Sequence, residues 1–127
     1  MGASARVACI VACLVVGQAA CAQRPTIEEG RALFKANGCA SCHGAEGHGD
    51  GLVGQSLGHR PRDLRDVTAF QGGTSENAIA ETLAYGLGAG AEMPRFAHLT
   101  DAERRSIALF VISLRGDQHA GLATNEK

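Results

Sequence analysis

The chain holds 127 residues, with 12 Lys and Arg against 13 Asp and Glu for a formal net charge of −1. That length suits one domain and leaves no room for two of ordinary size. Near-neutral charge and no basic stripe exclude a nucleic-acid surface, and with 4% aromatics and no tryptophan the core is thin unless something else fills it.

The first residues, MGASARVACIVACLVVGQAACA, carry one basic residue, Arg6, then an apolar run from Val7 to Val16, then small residues ending at Ala22. This order is that of a secretory signal peptide. The apolar run is about half of what a bilayer span requires. We therefore expect residues 1–22 to be a cleaved signal peptide and residues 23–127 to be one domain, exported to the periplasm. A rival processing route uses Cys21 as a lipidated cysteine, although Gln18 stands where such sites usually carry an aliphatic residue. Lipidation there, or a membrane-bound partner, is the expected route to any membrane contact. With the leader gone, Cys9, Cys13 and Cys21 depart and only Cys39 and Cys42 remain. Two cysteines three apart close too small a loop to staple a fold, so their purpose is chemical.

Three helices are predicted in the remainder. The first runs from Ile27 to Ala36, with Thr26 and Glu29 as a capping box and Asn37 and Gly38 as its stop. Gly30 in it allows another helix to approach closely. The second follows Thr74 or Ser75 and places Ile79, Leu83 and Leu87 on one face, ending near Gly86 or Gly88. The third is capped by Thr100 and Glu103, carries Ile107, Phe110, Val111 and Leu114 at helical spacing, and stops by Gly116. Between the first two lies a long stretch rich in glycine, with a short helical turn expected around Asp66 to Ala69. A connection of that length in a compact domain is usually either functional or disordered. No alternating run marks a strand, so the fold class expected is all-α, three to four helices with long loops around a central group.

The pentapeptide CASCH, Cys39 to His43, is the chemical centre of the chain, and by itself it suits metal capture, thiol redox chemistry or haem attachment. Residues three apart on a helical turn share a face, so two thiols can reach two points on one side of a flat ligand while His43 points to its centre. Haem has that form: two vinyl groups that take thioether bonds and an iron that takes an imidazole. CxxCH is the attachment signature of haem c. Removal of the leader leaves Met93 as the sole methionine, between a glycine-rich approach and Pro94. A thioether is a weak donor that needs a rigid loop, which Pro94 supplies.

On these residues the chain resembles class I monohaem cytochromes c of the small bacterial periplasmic type, over residues 26 to 115. The resemblance implies one covalently bound haem c held by Cys39 and Cys42, with His43 as proximal and Met93 as distal ligand. It also implies that Gly30 and Phe34 mark a crossing of the first and last helices, meeting Phe110 or Val111. The subgroup with CHGAEGHGDG often continues with proline, and here Leu52 takes that place. The carbonyl that accepts the His43 proton is therefore open, with Pro61 as a candidate region, and Arg60 and Arg62 are candidate partners for the haem propionates.

The expected function is electron transfer between respiratory or dehydrogenase partners, through transient contacts with redox proteins. A six-coordinate iron leaves no site for substrate, and no catalytic constellation stands elsewhere. One rival is an electron-transfer subunit of a periplasmic oxidoreductase complex. Another is a five-coordinate haem sensor or peroxidase-like protein, with His59 the best alternative ligand among His48, His59, His98 and His119. A zinc or thiol-redox module lacks a second ligand pair and a βαβ context.

Overall fold

A computed structural model describes residues 24–116. The leader, with Cys21, and His119 lie outside the described residues. The described residues form four α-helices: α1 (Ile27–Ala36), α2 (Cys39–His43), α3 (Glu76–Tyr85) and α4 (Asp101–Ser113), with single 3-10 turns at Gly54–Ser56 and Val67–Ala69. Among the described residues there is no strand. The domain is all-α, as the sequence pattern implied, and no described helix is long and apolar enough to cross a membrane.

The frame is the crossing of α1 over α4. Both helices bring Phe34, Ile107, Phe110 and Val111 into the core, and Phe34 meets Phe110 edge-on with ring centroids 5.2 Å apart. The approach is close because position 30 has no side chain: a Cβ on Gly30 would lie 1.8 Å from the Ser106 carbonyl oxygen. Helix α3 packs on the other flank of α4 through Ile79 and Leu83. Arg105 ties the two helices at their N-terminal ends, bonding Asp101 one turn back and Glu76 across.

The caps follow the sequence, with one correction. At α4, Thr100 and Glu103 form the full reciprocal box. At α1, Thr26 accepts from the Glu29 amide as expected, but the Glu29 carboxylate does not reach back to Thr26. The fully buried Ser106 hydroxyl stands between them, accepting from the Thr26 amide at 3.2 Å and donating to Glu29 at 2.8 Å. The box is closed through α4, so the start of α1 is pinned to the crossing. Helix α4 also ends at Ser113, earlier than its glycine stop, with Leu114 as cap and Gly116 at φ 60° beyond.

Candidate functional site

Helix α2 is one turn and a half, too short to be stable alone. What holds it is the glycine-rich run that follows. The chain doubles back so that the amides of Gly49, Gly51 and Val53 donate to the carbonyls of His43, Cys42 and Ser41 at 2.8, 3.1 and 2.9 Å. Those are the carbonyls a helix C-terminus leaves without partners. The returning segment must lie against the helix backbone, and a Cβ on Gly51 would sit 2.3 Å from the Ser41 oxygen. The glycines of this run thus serve the helix that carries CASCH.

So positioned, Cys39, Cys42 and His43 line one wall of a cavity of about 520 Å³. Cofactor and ligand pockets commonly fall in the range of roughly 300–1,000 Å³. Its apolar floor is the core itself: Phe34, Leu64, Ile79, Leu83, Phe96, Ile107 and Val111 all reach it. Met93 is half-buried on the same cavity and packs against that core. Its loop leaves α3 at Gly86 and is tied down on exit by the Phe96 amide, which donates to the Leu83 carbonyl at 2.7 Å.

The electrostatics of the wall favour uncharged groups. Burial pushes the Cys39 thiol up to about 11, with the neighbouring Cys42 adding to the rise and a backbone hydrogen bond opposing it. Both cysteines are free thiols. Burial likewise holds the His43 imidazole below its usual value, against the opposing effect of its bond to Arg62. That bond joins His43 Nδ1 to the Arg62 carbonyl at 3.4 Å. A carbonyl only accepts, so Nδ1 carries the proton and the lone pair of the neutral ring is on Nε2.

The acceptor that the sequence left open is therefore the Arg62 carbonyl, one residue past Pro61. Leu52, in the place of the missing proline, is exposed to 87% and takes no part. Arg60 and Arg62 both border the cavity, Arg60 exposed and Arg62 half-buried, with the Arg62 guanidinium donating to the Ala69 carbonyl. His59 also borders the cavity from an exposed position. His48 and His98 are exposed, and His98 pairs with Asn37. Among the described residues no group of three or more His, Cys, Asp or Glu side chains gathers as a metal would need.

Sequence reasoning did not single out Phe70, Phe96 or Glu92 on the cavity wall. Phe70 and Phe96 come from loops without periodicity, where burial has no sequence signature. An apolar cavity with two thiols and a neutral imidazole from one helix and a thioether also on its wall fits haem c, whose edge takes thiols and whose centre takes nitrogen and sulfur. The helical frame and this cavity define a protein organised around a planar cofactor.

Comparison with known proteins agrees. The Cytochrome c family profile matches residues 27–115. The chain belongs to the cytochrome c family. No curated protein matches it. A matching solved structure is a chain of the reducing HAO-like protein complex of Kuenenia stuttgartiensis, 33% identical with a TM-score of 0.62. The match covers 72% of this chain and 46% of that one, so this chain spans about half the length of its relative.

Proposed function

We propose that this protein is a periplasmic c-type cytochrome that carries single electrons between respiratory or dehydrogenase partners. Cys39 and Cys42 would hold one haem c covalently, and His43 and Met93 would be the ligands to its iron. Arg60 and Arg62, at the cavity border, pair with the propionates. When bound, the haem supplies a one-electron couple whose potential a His and Met pair raises relative to two histidines.

The observation that carries this reading is the shared cavity: Cys39, Cys42, His43 and Met93 come from two separate parts of the chain and all line it. The residues then do three things. The Arg62 carbonyl holds the proton on Nδ1, which keeps Nε2 as the donor and fixes the ring plane. With a haem bound, Met93 would offer its thioether as the second ligand to the iron, which would leave no site there for a substrate. Phe34, Leu83, Phe96 and Ile107 exclude water from the buried part of the site, which limits the reorganisation that accompanies a change of charge.

A second reading, an electron-transfer subunit of an oxidoreductase, is favoured by one observation: the solved relative is a complex of two chains. Weak encounter surfaces suit a free carrier, while a subunit buries more. Ferric optical spectra test the ligand set shared by both. A near-infrared sulfur-to-iron charge-transfer band is expected, lost in Met93→Ala; a high-spin wild-type spectrum refutes Met93 ligation. Size-exclusion of the native extract separates carrier from subunit by mass.

A further inference from the structure

The Met93 loop has a second attachment that the ligand set does not account for. Between Gly86, which caps α3, and Phe96, the backbone makes one internal hydrogen bond, Ala91 to Gly88 at 3.4 Å, and the glycines at 88 and 90 have nothing within 4 Å of where a Cβ would be. Such a segment has little packing of its own to hold a side chain in place. Yet Glu92, next to Met93, reaches across the cavity mouth to the opposite loop. Its Oε1 accepts from the Gly58 amide and its Oε2 from the His59 amide, both at 3.2 Å. Both carboxylate oxygens are used, and the residues joined are 33 and 34 apart in sequence. His59 and Glu92 both border the cavity.

We infer that Glu92 is a positioning residue: a clasp from the Met93 loop to the Gly58–His59 backbone that holds the two loops together and the thioether in place. The inference rests on the proposed Met93 ligation. A carboxylate taking two backbone N–H groups is a charge-assisted pair, stronger than neutral bonds of the same length. It spans two loops with no helix contact between them, so opening it frees the Met93 loop without disturbing the α1–α4 frame. A thioether is a weak ligand, and the opened state is the one an external ligand can enter. Raising the population of that state raises the apparent affinity of the external ligand by the same factor.

The test uses the haem-loaded protein and three variants, Glu92→Ala, Gly58→Pro and Gly58→Ala. Gly58→Pro deletes one donor of the clasp; Leu57 before it is already extended at ψ 153°, as a residue preceding proline must be. Gly58→Ala keeps the donor and has room, since the nearest atom to its Cβ is Glu92 Oε1 at 3.8 Å. Two readouts are taken: imidazole binding to the ferric protein, and hydrogen exchange at the Gly58 and His59 amides. Glu92→Ala and Gly58→Pro should bind imidazole on the order of tenfold more tightly, with Gly58→Ala like wild type. The His59 amide should exchange faster in Glu92→Ala. Wild-type imidazole affinity in Glu92→Ala overturns the clasp. Wild-type protein lacking the sulfur charge-transfer band, but with both amides protected, refutes Met93 ligation and leaves the Glu92 contact standing as a loop tie alone, which also overturns its positioning role.

Discussion

Replacing Gly30 by alanine tests the crossing on which the site is built. A methyl there would stand 1.8 Å from the Ser106 carbonyl oxygen and 2.9 Å from Phe110 Cβ. Helices α1 and α4 must then part by roughly 1.5 Å to restore ordinary contact. Overpacking costs typically about 1–3 kcal/mol, and the upper end applies because the obstacle is backbone. Separation also strains the bonds that Ser106 makes to Thr26 and Glu29, worth about 1 kcal/mol each. Against this, alanine gains about 1 kcal/mol over glycine in helix propensity. The net is a loss of about 4 kcal/mol, or roughly 16–32 °C in Tm for a domain of this size. Thermal unfolding of the haem-bearing protein by far-UV circular dichroism reads it directly. A Tm equal to or above wild type would show that the helices do not meet at Gly30, and the frame described above would fail.

Other variants probe the core, the cavity and the loop that supplies the imidazole acceptor. Phe34→Ala removes the ring packed on Phe110 and should cost about 3–5 kcal/mol in denaturant unfolding; a loss under 1 kcal/mol contradicts the packing. The Cys39→Ala, Cys42→Ala double variant should show no cooperative thermal transition. Without the haem the apolar wall formed by Phe34, Leu83, Phe96 and Ile107 faces water; leaving about 300 Å² of apolar surface uncovered forfeits on the order of 7 kcal/mol at about 25 cal/mol per Å², comparable with the net stability of a small domain, and native-like helix with a sharp transition refutes this. Asp63 bonds Arg65 through both oxygens, which holds its carboxyl down from 3.8 to about 2. Because the folded value is the depressed one, the stabilisation is present above pH 3.8 and disappears as pH falls through about 2. The pair is partly exposed, so Asp63→Asn should cost less than about 1 kcal/mol at neutral pH and nothing at the acid end of that window; a cost that persists there contradicts the pairing.

The parts of this molecule that were legible in its sequence are those set by local chemistry. Helix α1 starts and stops where Thr26, Asn37 and Gly38 place its ends and α3 starts at the Ser75 cap; the meeting of Gly30 and Phe34 with Phe110 was implied by the family resemblance rather than by local chemistry. CASCH and Met93 announced themselves by residue type and spacing. What was not legible depends on how distant segments meet. The Arg62 carbonyl is a backbone group, which every residue has, so nothing in the letter at 62 marks it as the His43 acceptor. Ser106 looks like any helix serine until α1 lies on it. Glu92 reads as a surface acid, and only the fold brings it to the amides of Gly58 and His59. The glycine-rich run after His43 was visible as a pattern, but its purpose, closing the exposed carbonyls of α2, required the path of the chain.

The central claim is that one haem, fixed by two thioether bonds, organises this domain. Intact mass together with the visible spectrum of protein isolated from its native host measures that directly. The account predicts a polypeptide heavier by a single haem, with the colour remaining on the protein after acid–acetone extraction. A colourless protein, a haem that extracts freely, or a mass matching the bare chain would contradict it.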